Sequence, residues 1–463
     1  MFNRPPKSLD NTIQVMSSVA LDSNSEPSGA GHDAVTGSYS VNYLDLKLRL
    51  HQQLLELMNL SILDKMQTAE IRRDVGEMVR ELLSKEKMPL NQMEQRQLVT
   101  DILDEVLGLG PLEPLLKDPS ISDILVNGCA TVFVERRGQL EPTPVRFKDD
   151  KHLLRIINKI VSAVGRRVDE SAPLVDARLP DGSRVNAVIH PIAVDGPLLS
   201  IRKFAKLPFT MESLVENGTV SPEMAELLRG IVQCRISTLI SGGTGSGKTT
   251  MLNALSHFID GRERIVTIED AAELQLQQVH VARMETRPAN IEGQGQISQR
   301  DLVKNALRMR PDRIIVGEVR TGEAFDMLQA MNTGHEGSMT TVHANTPRDA
   351  ISRLEQMISM SGLDLPPRGM RSQIASAIRV VIQVERMSDG RRRLVSLQEI
   401  SGMEGETVSM QEIFRFHRRG IDAQGNILGE FSATGVRPKF IGDLELRGFR
   451  ISQDLFRPDR GRG

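Results

Sequence analysis

An α/β fold is predicted for this chain, with a smaller α/β segment and a helical segment ahead of the main unit. Three observations predict it. Apolar strand-like runs alternate with helical segments from about residue 211 to residue 384, a glycine-rich loop sits between one such run and a helix, and leucines near the N-terminus recur at helical spacing. At 463 residues the chain exceeds what one hydrophobic core usually organises, so two or more domains are expected.

Residues 1–43 mix Ser, Asn, Gly, Pro and Asp and offer too little apolar surface to offset the entropy of ordering, so a disordered leader is expected. From there Leu46, Leu50, Leu54 and Leu57 recur at helical spacing, and Ile71, Val75, Met78, Val79 and Leu82 repeat the theme. Asn91 with Glu94 three residues on has the form of a capping box that opens a helix, which Gly108 and Gly110 stop. Residues 44–110 therefore read as a helical bundle used for packing. Residues 111–204 read as a compact N-terminal α/β domain, with strand-like Ile124-Leu125-Val126 and Val132-Phe133-Val134 around a helical stretch from Leu153 to Val164. Residues 205–463 read as the main α/β domain with a C-terminal subdomain. In that subdomain Asp389-Gly390, Gly420, Gly425, Gly429 and Gly435 have the look of turns between short strands.

Composition narrows the function. The formal net charge is only -2, which argues against a protein that holds duplex DNA by neutralising phosphates, and Trp is absent while both tyrosines, Tyr39 and Tyr43, lie in or beside the polar leader. Nucleic acid is unsupported as a partner. Cys129 and Cys234 stand far apart with no Cys or His at ligand spacing, so neither a disulfide framework nor a zinc site is suggested. No apolar run approaches the roughly 18 residues needed to cross a bilayer, and a cytoplasmic protein is expected.

Leu239-Ile240-Ser241 leads into Gly242-Gly243-Thr244-Gly245-Ser246-Gly247-Lys248-Thr249, the G-x-x-x-x-G-K-[ST] pattern, with an apolar helix from Met251 behind it. Glycines let the backbone turn tightly enough for several N–H groups to converge on phosphate oxygens, and the helix N-terminus adds its positive end. Lys248 is placed to reach the β- and γ-phosphates of ATP, the Thr249 hydroxyl to bind Mg²⁺, and Thr250 completes the nucleotide-binding set. No Asn-Lys-x-Asp motif marks guanine selectivity, because Asn158-Lys159 continues with Ile160-Val161.

Acidic residues follow two further strand-like runs. Ile265 to Ile268 end in Glu269-Asp270, with Glu273 shortly after, placed to hold Mg²⁺ through its waters at the edge where open α/β sheets bind ligands. Arg313 to Val316 end in Gly317-Glu318, where Gly stands in the place of the Asp of an ordinary Walker B strand, and Glu318 is the candidate for orienting the attacking water. His335 and His343 flank a third run, Ser338 to Val342, and are candidates for sensing the γ-phosphate.

Together the glycine-rich loop, Ile-Glu-Asp-Ala-Ala-Glu-Leu, Arg-Pro-Asp-Arg-Ile-Ile-Val-Gly-Glu-Val-Arg and Thr-Gly-His-Glu-Gly-Ser-Met-Thr-Thr-Val-His-Ala-Asn resemble the type II/type IV secretion ATPase superfamily. Upstream, Leu-Gly-Pro-Leu-Glu-Pro-Leu-Leu, Asp-Ile-Leu-Val-Asn-Gly and Asp-Ala-Arg-Leu-Pro-Asp-Gly-Ser-Arg-Val-Asn look like its CpaF-type branch, the tight-adherence (Tad) pilus ATPases. The resemblance runs from about Leu46 to the C-terminus. It implies a RecA-like ATPase domain behind a smaller, PAS-like α/β domain, with the family's Walker A on Gly242 to Thr249, its Asp box on Glu269 to Glu273, its atypical Walker B on Ile314 to Glu318 and its His box on His335 to His343.

The resemblance further implies a homo-oligomer, a ring-shaped hexamer in which the N-terminal α/β domain covers the nucleotide and neighbouring subunits supply arginines. Arg178, Arg184 and Arg202 are then the candidates for stabilising phosphate charge in the transition state. Implied partners are inner-membrane pilus platform proteins, and pilin indirectly. A nucleic-acid translocase with the same engine is the alternative, and it needs a basic surface. The most basic stretch, Arg391-Arg392-Arg393 with Arg415, Arg418 and Arg419, reads instead as a solvated face.

Overall fold

The computed structural model describes residues 46, 49, 50, 53, 54, 68–85, 91–136, 138–204, 209–289 and 294–458. The expected leader, Leu57 and the segment 205–208 between the two α/β units lie outside the described residues. Helices α1 (Thr68–Lys85) and α2 (Gln92–Leu107) pack with Leu46, Leu50 and Leu54 around Val75, Val79, Leu98 and Ile102. The expected capping box opens α2: Asn91 Oδ1 accepts the Glu94 N–H at 2.8 Å, and Glu94 Oε2 accepts the Asn91 N–H at 2.8 Å.

The short α3 (Glu113–Lys117) leads into a six-stranded sheet made of β1 (Ile121–Asn127), β2 (Thr131–Arg136), β3 (Gln139–Pro142), β4 (Leu174–Arg178), β5 (Arg184–Val188) and β6 (Leu198–Arg202). Its order is β3-β2-β1-β6-β5-β4, antiparallel throughout. Helix α4 (Asp150–Ala163) covers one face, setting Leu153, Ile156, Ile157 and Ile160 against Ile124, Val134, Val185 and Ile201. Strand side chains alternate, so the other face is left polar. Register aligns Asp123 with Arg202, Arg202 with Arg184, and Arg184 with Arg178. Three arginines thus stand side by side across three strands. Like charges opposite one another cost stability unless anions answer them.

Helices α5 (Met211–Glu216) and α6 (Pro222–Gln233) precede a nine-stranded sheet. Its parallel part is built from β7 (Thr238–Gly242), β8 (Ile265–Glu269), β9 (Val281–Glu285), β10 (Arg313–Val316), β11 (Met339–His343) and β12 (Val380–Arg386). Between them run α7 (Lys248–Ser256), α8 (Gln299–Ala306), α9 (Glu323–Asn332), α10 (Pro347–Ser359) and α11 (Pro367–Ala377). β13 (Arg392–Glu404), β14 (Thr407–Ile421) and β15 (Ile427–Ala433) continue the sheet antiparallel beyond β12, and α12 (Ile441–Leu446) follows. Both faces are buried: Ile240, Ile315 and Ile382 pack with α6 and α7 on one side, and Leu239, Ile314 and Val381 with α9, α10 and α11 on the other.

The order β15-β14-β13-β12-β7-β11-β10-β8-β9 places β7 between two strands that come much later in the chain. The chain switches direction there, which opens a crevice at the carboxyl ends of β7, β8, β10 and β11. One expectation changes in the C-terminal subdomain. Where short strands were expected, β13 and β14 run for 13 and 15 residues. Gly420 marks a register shift inside β14, and Gly402 marks one inside β13, so these glycines bend strands and do not end them.

Candidate active site

The glycine-rich turn closes between β7 and α7 as its sequence requires. Gly245 (φ 67°) and Gly247 (φ 94°) take the left-handed backbone that glycine adopts freely. Lys248, the first residue of α7, folds back over the turn, its Nζ donating to Gly242 O at 3.1 Å and Gly243 O at 3.0 Å. Burial pushes its pKa below the ordinary lysine value, Glu318 opposes that shift, and Arg320 and Arg202 add to it.

Glu318 follows β10, and its Oε1 lies 4.0 Å from Lys248 Nζ. Its other oxygen takes two bonds from Arg320, from Nε at 3.0 Å and Nη2 at 2.7 Å, while Arg320 Nη1 reaches Asp270 Oδ2 at 2.9 Å. Arg320 therefore fastens the ends of β10 and β8 together. Sequence reading passed over it, although it stands two residues beyond the glutamate in the same motif.

Glu269 ends β8 and is 4% exposed. Its Oε2 accepts the N–H groups of Glu273 at 2.7 Å and Leu274 at 2.9 Å, and its Oε1 is buried with no hydrogen-bond partner among the described residues. Burial raises its pKa above the ordinary carboxylate value, and the two N–H groups work against that. An orphaned carboxylate oxygen in the cleft that Thr249 also lines suits a hydrated cation. Asp270 is committed differently, to Arg320 and at 3.3 Å to the Thr286 hydroxyl. Among the described residues no group of three or more His, Cys, Asp or Glu could hold a metal by itself. A Mg²⁺ ion there would come with the nucleotide and spread the charge of the phosphate oxygens between them.

Thr244 to Thr250, Glu269, Asp270, Glu273, Glu318 and His343 share one cleft of about 920 Å³, with the polar face of the six-stranded sheet as its roof, while Gly242 and Gly243 carry the carbonyls that Lys248 caps. His343, at the carboxyl end of β11 and in register with Gly242, belongs to it. His335 does not. It precedes β11, at the opposite end of that strand from His343 and about 16 Å away along five residues. Arg184 and Arg202 reach the cleft, and Arg178 lies in an adjoining cavity with Glu285. Arg184 and Arg178 are answered by the ATPase domain of their own chain, and Arg202 by its own sheet. Arg184 Nη1 meets Glu273 at 2.8 Å, Arg178 Nη1 meets Glu285 at 2.9 Å, and Arg202 Nε meets Asp123 at 3.1 Å.

The expected solvated face holds for Arg391, Arg415, Arg418 and Arg419, which are exposed, and not for Arg392 and Arg393. Arg393 is 8% exposed, stacks on Phe416 at 4.7 Å and donates to Gly218 O, while Arg392 Nε donates to Gly245 O of the glycine-rich turn at 2.9 Å. The hairpin of β12 and β13 brings these residues over the site, and that long-range pairing is invisible in a charge count.

The model of the family "Type II/IV secretion system protein" matches residues 105–420, and that of the "Type II secretion system protein E, N-terminal domain" matches residues 43–107. The chain belongs to the type II/IV secretion system protein family. It is an ATPase of that family, with a fold of a sheet-rich ATPase domain behind a smaller α/β domain and a helical region. A putative conjugal transfer protein of Mycobacterium tuberculosis is 40% identical over 307 residues, 65% of this chain and 87% of its own length. The type IV secretion system protein VirB11 of Bartonella henselae is 31% identical over 60% of this chain and 88% of its own. Among solved structures, the VirB11 ATPase of the Brucella suis type IV secretion system is similar at 28% identity and a TM-score of 0.34, covering 62% of this chain and 94% of that one.

Proposed function

We propose that this family member is a Mg²⁺-dependent ATP-hydrolysing motor that works as a homo-hexamer at the cytoplasmic face of the inner membrane and drives assembly of a tight-adherence pilus through membrane platform proteins. The observation that carries the ATPase reading is the approach of Glu318 to Lys248. A carboxylate 4.0 Å from the phosphate-binding lysine can accept a proton from water placed at the terminal phosphate, and Arg320 fixes its orientation. Lys248 and the backbone N–H groups of the turn would hold phosphate charge, Thr249 and Glu269 would hold the metal that neutralises it, and Arg184 and Arg202 would add positive charge from the roof. Residue resemblance upstream of the ATPase domain supports the pilus branch, and no helix among the described residues is long and apolar enough to cross a membrane.

Release of the γ-phosphate would loosen contacts at His343 and the arginines and let the roof rotate against the ATPase domain, a rigid-body motion that a ring can pass to partners. The test is to purify the full chain, measure ATP turnover, and capture membrane partners with Glu318→Ala as a trap. Turnover lost in Lys248→Ala and Glu318→Ala, with platform proteins of a pilus captured, is the expected result. Turnover stimulated by DNA, with salt-sensitive DNA binding, would replace the pilus reading by the translocase one.

A further inference from the structure

The β2–β3 turn of the roof interlocks with the β12–β13 turn of the ATPase domain. Gly138 (φ 83°) lies so close to Gly390 that a Cβ on it would come within 2.8 Å of Gly390 O. Glu135, Arg386 and Arg392 meet at this junction. Glu135, on β2, points its carboxylate at Arg386 and Arg392, which flank the β12–β13 turn, with Arg386 Nη1 at 3.4 Å from Oε2 and Arg392 Nη2 at 3.5 Å from Oε1. The Ser122 hydroxyl donates to Oε1 at 3.3 Å, and Arg386 also donates to Gly138 O. The Glu135 side chain is 13% exposed, well shielded for a carboxylate.

Both arginines rest on the phosphate-binding turn. Arg392 Nε bonds Gly245 O, Arg386 Nη1 lies 3.3 Å from where a Cβ on Gly245 would stand, and Arg392 Cδ lies 3.3 Å from the equivalent point on Gly247. The turn, the two guanidinium groups and Glu135 therefore form one continuous contact from P-loop to roof. A triphosphate brings three to four negative charges to the turn, against the single charge of Glu135, and the two arginines cannot serve both fully.

We propose that Glu135 is a positioning residue that latches the roof to the phosphate-binding turn through Arg386 and Arg392, and that nucleotide phosphates compete for those arginines and release the latch. The inference rests on the ATPase reading and assigns that site a means of signalling its occupancy to the N-terminal α/β domain. Individual part-exposed ion pairs are weak, which suits a contact that must break in every cycle.

Backbone hydrogen exchange in the full chain tests it. In the wild type, a non-hydrolysable ATP analogue with magnesium should speed exchange of the β2 and β3 amides about fivefold, the rate equivalent of a ~0.9 kcal/mol contact. Glu135→Gln and Arg392→Ala should exchange at the faster rate without nucleotide and gain nothing from it, while Glu135→Asp, which keeps the charge, should restore part of the response. A merely structural ion pair would leave the nucleotide response intact in Glu135→Gln. That result, or no response in the wild type despite analogue binding followed by fluorescence, overturns the latch alone. No analogue binding at all would remove the ATPase reading and the latch together.

Discussion

Gly317 lies against Glu269 so closely that a Cβ on residue 317 would come within 2.9 Å of the glutamate Cγ. Glu269 cannot retreat, because its Oε2 is tied to two backbone N–H groups and the residue is buried. Glycine at this point of β10's exit is the condition for a carboxylate at the exit of β8. The missing Walker B aspartate is thus a consequence of packing: the acidic group is supplied from the neighbouring strand.

Gly317→Ala should therefore damage the site through Glu269. Overpacking of this kind costs about 1–3 kcal/mol, and in a domain of about 250 residues each kcal/mol lowers the melting temperature by roughly 2 °C. ATP turnover should fall by at least about tenfold. Calorimetry and a phosphate-release assay check the pair of effects, and unchanged values in both would show that Glu269 moves aside.

Burial of Glu269 sets a pH dependence whose sign is fixed. Its folded pKa is raised above the ordinary value of 4.5, so between that value and the folded pKa the native state holds more protons than the unfolded chain. Stability from this group is whole below about pH 4.5 and is lost as pH rises through the folded pKa. Glu269→Gln removes the charged form and keeps an acceptor for the two N–H groups. It should melt a few degrees higher than the wild type near pH 8 without magnesium nucleotide, with the difference closing toward pH 5. A variant that melts lower at both pH values would contradict this account of the buried carboxylate.

Much of the site was legible because local pattern and position coincide. The glycine-rich loop names its own geometry, and Glu269 and Glu318 each end an apolar run whose length fixes where the strand stops. Three parts were not. Arg392 and Arg386 reach the loop through a hairpin formed more than 130 residues later in the chain, and for Arg392 charge alone suggested a solvated face. His335 lies ahead of the strand that ends in His343, and a parallel strand has only one end at the crevice. The row of Arg178, Arg184 and Arg202 depends on register between β4, β5 and β6, which side-chain alternation narrows but does not specify.

Arg320 gives a third prediction. Its planar fork holds Glu318 through two nitrogens and Asp270 through a third, and a lysine ammonium cannot reproduce that geometry. Arg320→Ala and Arg320→Lys should both lower kcat by about tenfold to a hundredfold with a smaller change in KM, because the defect lies in aiming the base and not in holding phosphates. Steady-state kinetics at saturating magnesium separate the two parameters. Restoration of kcat by lysine would mean that only the charge matters.

The last prediction divides binding from chemistry. Lys248 touches Gly242 O, Gly243 O and the Glu318 carboxylate together, so it supplies both phosphate charge and order to the turn. Lys248→Ala should weaken nucleotide binding and abolish turnover. Glu318→Gln keeps the shape of the side chain and removes its basicity, so it should bind the ATP analogue as tightly as the wild type or more so, since one negative charge near the phosphates is gone. Its turnover should nevertheless fall by about 10²- to 10⁴-fold, the usual contribution of a positioned base. Equilibrium binding and single-turnover hydrolysis on the same preparations decide the matter: Glu318→Gln with normal single-turnover rates would move the catalytic base elsewhere in the cleft.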